Sequence, residues 1–97
     1  MGYRYHKSKV DSNHLEIVKA LRSFGAFVLD CSALRNAFDL LVAYNGNIYI
    51  VEVKNGALPP SARKLTSGEL ECKERFESVG VTYHVITSVE EAISMLS

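Results

Sequence analysis

Residues 38–54 read FDLLVAYNGNIYIVEVK, and this run constrains the fold more than any other part of the chain. Asn45-Gly46 supplies the two positive φ angles of a two-residue hairpin turn, and β-rich segments flank it on both sides. Phe38–Tyr44 and Asn47–Lys54 are therefore expected to pair antiparallel. With the turn centred between Asn45 and Gly46, opposed residues have numbers that sum to about 91. Asp39 then falls opposite Glu52 on one face, and Lys54, two residues on, points the same way.

Two carboxylates facing each other across a hairpin repel. An acid in an otherwise apolar strand is costly unless it is paired or bound to a cation. A divalent cation reverses the sign of that repulsion, and hard oxygen donors on a rigid hairpin suit Mg²⁺ or Mn²⁺. Lys54 would then stand where an attacking water is held or charge develops on phosphorus. The plainer reading is that Glu-x-Lys on a strand is a solvated face.

The remainder of the chain supplies a small mixed sheet flanked by helices. Residues 1–10 (MGYRYHKSKV) are basic, aromatic and without period, which suits a flexible or partner-docked arm. Asp11 or Ser12 opens a helix whose apolar positions are Leu15, Val18, Ala20 and Leu21, with Gly25 closing it. Ala26–Leu29 reads as a short buried strand. Residues 55–66 contain Gly56, Pro59 and Pro60 and are expected to hold no regular structure. A second helix spans Ser67–Val79, with Leu70, Phe76 and Val79 turned inward and Gly80 as its cap. Val81–Thr87 is a strand that the right-handed crossover rule sets parallel to a hairpin strand. Ser88 caps a last helix, with Glu90 and Glu91 in its first turn.

Composition removes several alternatives. With 97 residues the chain allows one domain with a thin core, so a partner subunit would help it. No apolar run is long enough to span a membrane, and the basic N-terminus has no secretory core behind it. Cys31 and Cys72 form neither a CxxC nor a zinc pattern and are read as reduced thiols of a cytoplasmic protein. His6, His14 and His84 lack metal-ligand spacing. His14 is taken as a capping or surface residue and His84 as structural. Formal net charge is zero, yet residues 1–64 carry nine basic and five acidic residues, while residues 65–97 carry two and six. A uniformly basic nucleic-acid binder is excluded; a protein that meets phosphate on one side is not.

FDLLVAYNGNIYIVEVKNG resembles the catalytic hairpin of the PD-(D/E)XK nuclease superfamily, the restriction-endonuclease-like fold. More narrowly, the chain resembles the stand-alone VRR-NUC domains of phages and prophages over nearly its whole length. DSNHLEIVKALRSFGAFV is similar to that family's opening helix and first strand, EVKNGALPPSARKLT to its catalytic strand and following loop, and SVEEAISML to its closing helix.

The resemblance implies an αβββαβα core in a single domain over 1–97 and metal-dependent hydrolysis of DNA phosphodiesters. It further implies a homodimer acting on branched DNA such as four-way junctions, inside a bacterial host cell. Asp39 matches the metal-binding Asp, Glu52 the second acid, Lys54 the catalytic lysine and Glu16 the helical Glu, with the Val53 carbonyl a further metal ligand. Arg63 and Lys64 in the loop, and Arg4, Lys7 and Lys9 in the arm, are candidate DNA contacts. Phe24, Phe38 and Phe76 are candidates for a dimer surface.

Two positions depart from the family. Asn36-Ala37-Phe38 stands where a Pro usually precedes the Asp, and Glu69 stands near a usual Gln. A nicking or restriction-type endonuclease on ordinary duplex, a non-catalytic DNA-binding module and a protein-interaction domain are the rival readings.

Overall fold

The structure is a computed structural model and describes residues 11–97. The proposed arm, with Arg4, Lys7 and Lys9, lies outside the described residues. The elements follow the order α1 (His14–Ser23), β1 (Phe27–Asp30), β2 (Leu40–Tyr44), β3 (Asn47–Val53), α2 (Ser67–Ser78), β4 (Tyr83–Ile86) and α3 (Val89–Leu96). This is the αβββαβα order, built on one four-stranded sheet with strands in the order β1-β2-β3-β4. Among the described residues no helix is long and apolar enough to cross a membrane.

The hairpin closes as its turn chemistry requires. Asn45 and Gly46 both have positive φ, 52° and 82°. The ladder runs from Tyr44↔Asn47 to Leu40↔Val51, each pair summing to 91. β1 extends the sheet antiparallel to β2, and β4 joins β3 in parallel through the α2 crossover. Side-chain alternation then divides the sheet. Val28, Leu40, Val42, Val51, Val53 and Ile86 share one face and pack with Ile17, Val18 and Leu21 of α1 and Ala92 and Leu96 of α3. Glu52 and Tyr83 fall on the opposite parity, toward α2.

The first helix buries a stripe shifted from the one expected. Its inward residues are His14, Ile17, Val18 and Leu21, at helical spacing, while Leu15 is 59% exposed. His14 is therefore neither a surface residue nor the cap, a position taken by Asn13. The second helix also differs from expectation. It buries no residue, and Leu70 and Val79 face solvent. Of the three apolar residues expected inward, Phe76 does turn in, against the rings of Phe38 and Tyr83 at centroid distances of 6.0 and 6.5 Å. A capping box at Thr66 and Glu69 starts this helix. Gly68 lies so tightly against the Asn36 side chain that a Cβ would collide with it. Within the breaker-rich loop, Pro60–Arg63 forms one 3-10 turn, because Pro is tolerated at the first position of a helix. Ser88 caps α3 as expected, its hydroxyl accepting from the Glu91 amide at 3.1 Å.

Truncation of the core should separate the two apolar positions of α1. Ile17→Ala should lower unfolding free energy by about 2–5 kcal/mol. Leu15→Ala should stay within about 0.5 kcal/mol of the parent. Urea unfolding followed by circular dichroism checks both.

Candidate active site

Asp39 sits one residue before β2, where the hairpin ladder ends. Its amide donates to the Val51 carbonyl at 2.9 Å, and its Oδ2 accepts from the Val53 amide at 2.9 Å. The side chain thus takes the place of a main-chain acceptor at the strand end, which fixes it beside Glu52. On its other side, the Asp39 carbonyl accepts from the Cys31 amide at 2.7 Å, tying the end of β1 to the same corner.

Glu52 is buried, with 4% of its surface exposed. It is poorly satisfied there. The Tyr83 hydroxyl approaches Oε1 only to 3.4 Å, and its short hydrogen bond, 2.7 Å, goes to the Ala37 carbonyl instead. Lys54 Nζ is 3.6 Å from Glu52 Oε2 but 2.8 Å from Glu69 Oε1. Burial, then the negative charges of Asp39 and Glu69, push the Glu52 carboxyl up to about 9, against the opposing pull of Lys54. Burial also raises Asp39, partly offset by the Val53 amide. For Lys54, burial favours the neutral amine, but the hydrogen bond and charge of Glu69 and the charge of Glu52 outweigh it and hold the ammonium. Glu69 is opposed by burial and lowered overall by Lys54 and the Thr66 amide. Burial and the neighbouring Glu52 raise the Tyr83 phenol.

The structure brings Asp39, Glu52, Val53 and Lys54 together, and adds Glu69 and Tyr83. Glu69, the position at which the chain departs from the family, is a direct partner of Lys54. Glu16 is not brought in. It is exposed on α1, two residues beyond His14 and therefore about 200° around the helix from it. The inward position of the first turn belongs to His14, whose Nε2 lies 3.0 Å from Asp30 Oδ2. Arg63 is turned back onto its own loop, Nε donating to the Leu58 carbonyl at 2.8 Å, while Lys64 is exposed.

Among the described residues no three His, Cys, Asp or Glu side chains are drawn together as a complete metal cage. A hard cation does not need one. Mg²⁺ is commonly held by one or two carboxylates, with waters and substrate phosphate completing the shell. Asp39 and Glu52 supply two carboxylates at a buried corner that keeps a proton for want of positive charge, so the donor set fits such an ion.

No protein-family model matches the sequence, and no curated protein does. A solved structure described as "VRR_NUC domain" is similar, at 25% identity and a TM-score of 0.61, over 88% of this chain and 95% of that one. This likeness supports a VRR-NUC assignment for the chain. Its mixed four-stranded sheet with three helices is the nuclease-type fold of that match, and the described corner lies at the end of its central hairpin.

The raised Glu52 pKa sets a sign for stability. Between about 4.5, the unfolded value, and about 9, the folded value, the native state holds a proton that the unfolded chain has lost. Stability linked to Glu52 is fully present below 4.5 and falls as pH rises toward 9. In EDTA, urea unfolding should give a lower stability at pH 8 than at pH 5.5, and Glu52→Gln should flatten that slope.

Proposed function

We propose that this VRR-NUC domain is a metal-dependent endodeoxyribonuclease, acting on branched DNA as a homodimer. The convergence of Asp39, Glu52 and Lys54 at the end of a rigid hairpin, on a nuclease-type fold, carries the reading. Asp39, Glu52 and the Val53 carbonyl are the proposed holders of Mg²⁺ or Mn²⁺. A bound cation supplies phosphate polarisation and a lowered pKa for its water. Lys54 would hold an attacking water or offset the charge that develops on the pentacoordinate phosphorus. Glu69 must give up Lys54, or share it, when phosphate arrives.

Arg63 and Lys64 are proposed contacts for DNA backbone, as are Arg4, Lys7 and Lys9 from the sequence alone, all within the more basic residues 1–64. Dimerisation would supply two related centres to a two-fold junction. Phe38 and Phe76 pack on each other, so these two rings contribute less to such a surface than expected, while Phe24, tilted against Tyr44, keeps 42% of its surface exposed. The support for a dimer comes instead from Phe27, Leu29 and Ile48, which are 66%, 48% and 67% exposed on the sheet face that α2 leaves bare. Free thiols at Cys31 and Cys72 suit a reducing cytoplasm, as in a bacterial host.

The test is cleavage of a labelled four-way junction and a matched linear duplex in Mg²⁺, Mn²⁺ or EDTA. Metal-dependent cutting of the junction is expected, absent in Glu52→Ala and reduced roughly 10²–10³-fold in Lys54→Ala. No metal-dependent cutting of either DNA overturns the enzyme. Equal cutting of the duplex leaves a nuclease without junction preference. Light scattering should give twice the 10.8 kDa chain mass; a monomer at micromolar concentration removes the paired-centre reading.

A further inference from the structure

The first turn of α1 is tied down on both sides of the proposed centre. Asn13 Nδ2 donates to the carbonyls of Lys54 and Thr87, both at 3.1 Å. His14 Nε2 meets Asp30 at the end of β1, the strand end that the Cys31 amide joins to Asp39. The turn therefore spans from Lys54 to the neighbour of Asp39.

Two atoms in this turn are sealed from solvent with no hydrogen-bond partner: Asn13 Oδ1 and His14 Nδ1. His14 itself is 5% exposed. With Nε2–H directed at the Asp30 carboxylate, Nδ1 is left as an acceptor, and Asn13 Oδ1 is an acceptor by nature. Buried polar atoms without partners are rare and point to a missing water or ion. Each orphaned acceptor calls for a donor, which an O–H group can supply. A cation's hydration water is such a group.

We propose that His14, oriented by Asp30, is the α1 residue of the metal centre, its Nδ1 accepting a hydrogen bond from a water bound to the cation at Asp39 and Glu52. This rests on the metal-site reading above and replaces the expected helical carboxylate with an imidazole. His14 and Asp30 are positioning residues: they fix a hydration water and through it the cation. A carboxylate partner on the far nitrogen is the usual way to fix a histidine's tautomer and ring plane beside a metal.

The test reads metal binding apart from cleavage. In the full-length protein with ¹⁵N-labelled histidine, the His14 Nδ1 resonance should have the unprotonated Nε2–H tautomer and shift on Mg²⁺ addition. Glu52→Ala should abolish the shift. By calorimetry, His14→Ala and Asp30→Asn should weaken Mn²⁺ binding about 10–100-fold, with His14→Gln, which keeps an acceptor, recovering part of the loss. A His14 resonance that ignores Mg²⁺ while Glu52 binds it overturns the proposal, without variants that must fold. So does a full loss in Glu16→Ala with none in His14→Ala. Wild-type protein that binds neither cation overturns this proposal together with the metal centre. Normal metal binding and cleavage with a silent His14 overturn this proposal alone.

Discussion

Hairpin closure through Asn45 and Gly46 holds two acids in one buried corner. Both residues adopt positive φ, and that turn permits one register. A slip of a single residue would send Glu52 into the packed face among Leu40, Val51 and Val53, and bring apolar side chains into the polar corner. The core and the site are thus two sides of one pairing. Whatever stabilises the packing of β2 and β3 on α1 and α3 also holds Asp39 against the Val53 amide.

The corner is electrostatically unfinished. Three carboxyls, Asp39, Glu52 and Glu69, face a single lysine, and that lysine is closest to Glu69. Glu52 copes by keeping its proton. A functional site commonly departs from the rules that govern the rest of a fold. Here the departure is a surplus of buried carboxyl groups at the sheet end.

Much of this was legible in the residues. The Asn-Gly turn set the register, and the register set Asp39 beside Glu52. Ser88 announced α3, and Gly80 the end of α2. The helix faces were harder to read. In α1, Leu15 looked like core because it is apolar, yet His14, Ile17, Val18 and Leu21 form the continuous stripe. The spacing was available in the sequence; the histidine hid it, since imidazole counts as polar until a carboxylate such as Asp30 satisfies it. Glu16 has the chemistry of a metal ligand, while its rotation from His14 turns it to solvent. In α2 no periodicity could have succeeded, because the helix buries nothing. Glu69 and Tyr83 depend on long-range contacts that no local pattern carries.

The shallow seating of α2 has a bearing on the lysine. The helix is held by its capping box, by Phe76 against two rings, by the snug fit of Gly68 on Asn36 and by the Lys54–Glu69 pair. Elements with so little buried apolar surface are the first to open under native conditions. Glu69 rides on that element, whereas Lys54 is anchored to the stiff central strand. Exchange of Glu69 for another anion therefore disturbs the periphery and leaves the sheet untouched. The lysine is guarded by the part of the molecule that yields most readily.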